Sequence, residues 1–154
     1  MKYVLDTSAL FAMQDLPPDP VTTPGVISEL KKYGDQRLRY WEDRLPVSMP
    51  SSGSMKKVKE LATETGDDAR LSPVDMEVLA LAIDLKGIIL TDDYSIQNLA
   101  RVLGLKYKTV GFKGIEEVIH WKYRCRGCGR IFDKNMPDCP ICGSQLRSVR
   151  SGKA

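Results

Sequence analysis

The sequence predicts an α/β domain with a mainly parallel central sheet flanked by helices, followed by a small four-cysteine zinc ribbon. Three observations carry this reading. Short apolar strands alternate with helical segments along the first 110 residues. Acidic residues stand where those strands end. All four cysteines fall in the last 30 residues, as C-R-G-C and C-P-I-C.

The elements follow in chain order. Lys2–Leu5 reads as a buried strand and Ser8–Met13 as a short helix, closed by the turn-rich "DLPPDPVTTP". Pro24 opens a helix through Lys32, with Gly34 as its stop. A charged helix over 35–44, a strand over Leu45–Met49 and a loop at "PSSGS" are expected next. Met55–Thr65 has helical spacing, and "GDDARLSP" reads as a linker. Ser72–Lys86 is the clearest helix: Ser72 as N-cap, Pro73 in the first turn, Gly87 beyond the end, and Val74, Val78, Leu81, Ala82 and Leu85 on one face. Ile88–Thr91, Ser95–Leu103 and Leu105–Val110 read as strand, helix and strand. Parallel strands require such crossover helices.

The 154 residues are 42% hydrophobic and 28% charged, an ordinary globular composition with no apolar run long enough to cross a membrane. The N-terminus does not read as a signal peptide, and a cytoplasmic protein is expected. The formal charge of +3 is unevenly placed. Residues 1–120 carry 15 Lys and Arg against 18 Asp and Glu, a formal −3; residues 121–154 carry eight against two, a formal +6. An acidic body with a basic tail module suggests a polyanion partner for the tail; a solvated basic surface is the alternative.

Sites in open α/β sheets form at the carboxyl ends of the strands. Asp6 ends the first strand, and Asp92 and Asp93 follow "IILT". Asp75 lies in the first turn of the helix leading to that strand, and Glu29 on the helix containing "VISEL". Each acid has a plain structural role open to it: Asp6 as a cap, Asp75 in a capping box with Ser72, Asp92 or Asp93 as the cap of the next helix, Glu29 as an exposed helix residue. Gathered together, they would repel one another unless a divalent cation sat among them. Such a cation activates water, and a pair clamps an in-line phosphodiester displacement. The lone histidine, His120, is far in sequence from the acids, and no nucleophile-elbow or P-loop motif appears.

"YVLDTSALF", "VISEL", "SPVDMEVLALA" and "IILTDDYSIQNLA" resemble, in order, the motifs of the PIN domain, a metal-dependent ribonuclease fold. The resemblance implies that Asp6, Glu29, Asp75 and Asp93 bind Mg²⁺ or Mn²⁺. The Thr-x-Asp pattern favours Asp93, with Asp92 carried as the other candidate. Thr7 and Ser8 would orient the first acid. With the four-cysteine ribbon and the "WKYRCRGCGRIF" junction, the chain resembles the Nob family to about residue 146. Those endonucleases mature the 3′ end of small-subunit ribosomal RNA, which implies small-subunit pre-rRNA and the pre-ribosomal small subunit as partners. The expected division is a nuclease domain over 1–118, the ribbon over 119–148 and a basic disordered tail over 149–154. The oligomeric state is left open.

Cys125-x₂-Cys128 and Cys139-x₂-Cys142, each pair followed by Gly, describe two knuckles that together close a tetrahedral thiolate site. One structural Zn²⁺ is expected, with iron or an iron–sulfur cluster as the runner-up. Zinc would supply folding energy that so short a segment lacks. Arg124, Arg126, Arg130, Lys134, Arg147 and Arg150 are the expected RNA contacts. Trp121, Tyr123 and Phe132 serve either as core or as stacking surface. Two other readings compete with the processing nuclease: a catalytically silent RNA-binding assembly factor, and a toxin-type PIN ribonuclease.

Overall fold

The computed structural model describes residues 1–111, apart from 14, 35 and 42, and residues 121–150, with Arg150 as backbone alone. His120, the expected boundary near 119 and the tail beyond 150 lie outside the described residues.

The first sheet has four parallel strands in the order β2-β1-β3-β4: β1 Tyr3–Leu5, β2 Pro20–Val21, β3 Ile88–Leu90 and β4 Lys106–Lys108. Val4 pairs with Val21 on one side and Ile89 on the other. Val4, Leu5 and Ile89 are fully buried, because helices cover both faces of a parallel sheet. The helices are α1 Thr7–Ala12, α2 Pro24–Lys32, α3 Arg37–Trp41, α4 Ser52–Thr65, α5 Pro73–Leu85 and α6 Tyr94–Leu103. Helix α5 buries Val78 through Ala82 consecutively, so it lies within the core rather than over it.

Four expectations change. The strand at Leu45–Met49 reduces to a single parallel bridge between Thr22 and Val47. β2 had no signal in its proline-rich surroundings. "PSSGS" is the start of α4: Ser51 caps it by accepting the Ser54 N–H. "GDDARLSP" is not a free linker. Asp67–Ala69 forms a 3-10 turn, and Asp67 is fully buried.

The second sheet is the antiparallel ribbon β6-β5-β7: β5 Trp121–Cys125, β6 Ile131–Phe132 and β7 Leu146–Arg150. Alternation along β5 sends Trp121, Tyr123 and Cys125 to one side, and Lys122 and Arg124 to the other. The first side rests on the 3-10 turn. Trp121 Nε1 donates to Asp67 Oδ1 at 2.7 Å, and Tyr123 Oη donates to the Gly66 carbonyl at 2.8 Å and also to Asp68. The Arg70 guanidinium lies 3.4 Å from the Trp121 ring centroid, and its Nε donates to Ser148 Oγ. Gly66 has φ +81°, and a Cβ there would stand 2.5 Å from the Trp121 carbonyl. Only glycine permits both the turn and this approach.

Candidate active site and metal centre

Asp6 follows β1 and Asp92 and Asp93 follow β3, at the carboxyl ends of neighbouring strands. Asp6 is 3% exposed and caps α1, accepting the Ala9 N–H at 2.8 Å. Ser8 Oγ lies 2.9 Å from both carboxylate oxygens as donor, and Thr91 Oγ1 donates to Oδ2, the oxygen not taken by the Ala9 N–H. The same two hydroxyls accept the N–H groups of Asp92 and Asp93, each at 3.0 Å. Two hydroxyls thus lock the turn after β1 to the turn after β3. Burial pushes the Asp6 carboxyl from 3.8 to about 7, against hydrogen bonds from Thr91, Ala9 and Ser8; the Asp93 carboxylate adds to the rise.

Asp75 forms the expected capping box. Its Oδ2 accepts the Ser72 N–H at 3.0 Å, and its own N–H donates to Ser72 Oγ. Burial holds its carboxyl above the usual range, opposed by the Ser72 bonds and reinforced by Asp93 and Glu29. Glu29 projects from α2 and accepts from Thr7 Oγ1 at 2.6 Å. Thr7 therefore orients Glu29, while Ser8 and Thr91 orient Asp6. Asp6 feels Asp93, and Asp75 feels both Asp93 and Glu29: four carboxylates from four separate segments share one electrostatic neighbourhood.

The doublet divides its labour. Asp92 takes the Val110 and Gly111 N–H groups at 2.8–3.1 Å and ties down the turn after β4. Asp93 caps α6 with Oδ1, accepting from Ser95 and Ile96. The second oxygens of Asp75 and Asp93 have no hydrogen-bond partner among the described residues. Capping and ligation are compatible here, because each role uses a different oxygen.

The ribbon gathers the second donor set. Among the described residues, Cys125, Cys128, Cys139 and Cys142 are the potential ligands whose atoms all lie within 4.8 Å of one another, and none forms a disulfide. Cys125 and Cys142 sulfurs stand 3.2 Å apart, and those of Cys128 and Cys139 stand 3.8 Å apart. Thiolates around one Zn²⁺ at 2.3 Å form a tetrahedron with edges of about 3.8 Å. The Gly127 and Cys128 N–H groups point at Cys125 Sγ, and the Ile141 N–H at Cys139 Sγ. Gly129 and Gly143, both at φ +77°, close the two knuckles on the carbonyls of Cys125 and Cys139. Hydrogen bonds from the Ser144 side chain and backbone hold the Cys142 thiol down at about 6.

Arg124, Arg126, Arg130, Lys134 and Arg147 are all exposed. Arg124 and Arg147 are direct cross-strand partners. Like charges set opposite each other cost stability, which a bound polyanion would offset. The side chain of Arg150 lies outside the described residues. Tyr123 is buried and presents no stacking face, while half-buried Trp121 is held by Asp67 and has the Arg70 guanidinium over its ring. Sequence reasoning missed Asp67, which accepts from Thr65, Asn98 and Trp121. No local pattern links it to an indole 54 residues away.

The parallel sheet with acids after β1 and β3 is that of a PIN-type nuclease domain, and a family model described as the PIN domain of ribonuclease matches residues 3–85. Full-length similarity narrows this. The chain is 42% identical to Endoribonuclease Nob1 of Pyrococcus abyssi, over 97% of this chain and 94% of that protein. It is 40% identical to Ribonuclease VapC1 of Thermoplasma acidophilum, over 96% of this chain and 77% of that one. It is 32% identical to the 20S-pre-rRNA D-site endonuclease nob1 of Schizosaccharomyces pombe, over 54% of this chain and 23% of that one. The chain belongs to the Nob1 endoribonuclease family of PIN-domain proteins.

Proposed function

We infer that this chain is a divalent-metal-dependent endoribonuclease that cuts small-subunit pre-rRNA at its 3′ end during ribosome maturation. The observation that carries this is the turn after β1 tied to the turn after β3 through Ser8, Thr91 and Asp6, with Asp93 on the second turn and Glu29 joined to the first by Thr7; Asp75 adds a fourth carboxylate that feels Asp93 and Glu29. Their oxygens suit Mg²⁺ or Mn²⁺, and bound there the ion would supply an acidified water and positive charge for the phosphodiester. The chain's own part is positioning. Ser8 and Thr91 aim Asp6, Thr7 aims Glu29, and the capping bonds fix Asp75 and Asp93. Asp92 braces the turn after β4 and is assigned no ligand role.

The four thiolates fit one closed, structural Zn²⁺. The body over 1–118 cuts. The ribbon over 119–148 and the basic tail over 149–154 hold RNA through Arg124, Arg126, Arg130, Lys134, Arg147 and Arg150. The pre-rRNA substrate rests on the family resemblance and on the likeness to the fission-yeast 20S-pre-rRNA D-site endonuclease. Its setting is the pre-ribosomal small subunit, in the cytoplasm, where thiols stay reduced. Among the described residues no helix is long and apolar enough to cross a membrane.

The likeness to VapC1 favours a second reading, a toxin-type ribonuclease indifferent to rRNA context. Zinc-loaded protein incubated with RNA spanning the small-subunit 3′ end, with Mn²⁺ and with Mn²⁺ withheld, separates the readings. One discrete, Mn²⁺-dependent cut is expected. Cuts scattered equally over unrelated RNA support the toxin-type reading, and tight binding without a cut supports a silent assembly factor.

A further inference from the structure

Helices α1 and α2 run alongside each other with matched rungs. Thr7 and Phe11 are four residues apart on α1, and Glu29 and Tyr33 are four apart along α2 and its cap. Residues so spaced share a helix face, one above the other. The first rung is the Thr7–Glu29 hydrogen bond at 2.6 Å. The second is an aromatic pair, Phe11 edge-to-face with Tyr33, centroids 5.7 Å apart and planes at 74°. Four residues of helix rise about 6 Å, so the aromatic rung sits one turn from the acids.

This pair does little for the core. Phe11 is 44% exposed and Tyr33 69%. An edge-to-face contact uses one face of one ring and leaves the other faces uncovered. A Cβ on neighbouring Gly34 would meet nothing within 4 Å, so the ground beside Tyr33 is open. The pair is held in place from behind, because Arg37 Nη1 donates to the carbonyls of Phe11 and Met13. Exposed Lys32 immediately precedes Tyr33 at the end of α2. In an otherwise acidic body, an exposed aromatic pair next to a lysine matches the chemistry of an unpaired nucleotide: a base to stack and a phosphate to neutralise.

We propose that Phe11 and Tyr33 form a seat for one unpaired base of the RNA substrate, next to the phosphate held at the acid group. The seat deepens the ribonuclease reading and rests on it. It selects single-stranded RNA at the cut, since a paired base has no free face to offer. It reads no sequence, since every base has a π-face.

The test uses zinc-loaded full chain without Mn²⁺ and a 2-aminopurine-labelled unpaired RNA. Tyr33→Ala, at an exposed helix end where folding does not depend on it, is expected to weaken binding about tenfold and to lose part of the 2-aminopurine quenching. Phe11→Ala should act in the same direction. Tyr33→Phe should bind within about twofold of the parent, because the ring suffices. Blunt RNA duplex should bind all variants alike. Parent-like binding by Tyr33→Ala overturns the seat, as does Tyr33→Phe failing equally, which would make the hydroxyl the contact. So does sedimentation showing a parent dimer that Tyr33→Ala breaks, since a second copy would then cover the pair. Failure of the parent to cut any RNA with Mn²⁺ would instead sink the ribonuclease reading, whatever the binding results.

Discussion

Asp6→Asn should make the metal-free protein more stable at alkaline pH while destroying its chemistry. Asp6 is buried and its carboxyl titrates at about 7 instead of 3.8. Below pH 3.8 both folded and unfolded chains hold the proton, and the site costs nothing. Between 3.8 and about 7 the unfolded chain loses the proton while the folded chain keeps it, so stability falls as pH rises. Above 7 both are ionised, and the loss levels off at about 4 kcal/mol. Between pH 5 and pH 8 the Asp6 share of the fall is about 2.5 kcal/mol. Asn keeps the cap, because its carbonyl accepts the Ala9 N–H, and the Ser8 and Thr91 hydroxyls rotate to accept from its amide. Buried Asp67 and half-buried Asp75 shift in the same direction, so only the difference between parent and variant isolates Asp6. Urea unfolding of zinc-loaded protein, without Mg²⁺ or Mn²⁺, reads it at each pH. The variant's advantage should grow by about 2.5 kcal/mol from pH 5 to pH 8, and added Mn²⁺ should stabilise the parent alone. An advantage that does not change with pH would refute the argument that burial dominates this carboxylate.

Asp67→Ala removes the shared acceptor of Thr65, Asn98 and Trp121. It should cost about 2–4 kcal/mol in urea unfolding; a loss under about 1 kcal/mol would mean that the ribbon's dock contributes little. Chelating zinc should expose the amides of β5 to β7 to hydrogen exchange. Because Trp121 and Tyr123 rest on the 3-10 turn, it should also raise exchange at Gly66–Arg70 while the strands β1 and β3 stay protected. Unchanged exchange at that turn would show that it does not depend on the ribbon.

Much of this was legible in the sequence because its signals are local. The capping box at Ser72, the proline that opens α2 and the glycines after each cysteine pair are patterns within four residues. The structure realises each one. The placement of Asp6 and of Asp92 and Asp93 was legible because each follows directly on a strand of the parallel sheet. What stayed hidden was long-range. β2 is two residues in a proline-rich turn and is defined only by its neighbour β1. "GDDAR" looks like a solvated linker until the Trp121 indole and the Tyr123 hydroxyl arrive to satisfy it. The division between Asp92 and Asp93 was equally hidden, since it depends on the turn after β4 lying close enough to bind one of them.

That division offers the most direct test of the account, through single-turnover cleavage of the rRNA 3′-end substrate in Mn²⁺ by Asp93→Asn and Asp92→Asn. Both substitutions keep a carbonyl for the hydrogen bonds each residue accepts. If four carboxylates hold the catalytic ion, Asp93→Asn loses cutting by several orders of magnitude while Asp92→Asn cuts at the parent's position. Parent-like cutting by Asp93→Asn, or silence confined to Asp92→Asn, would contradict the site described here.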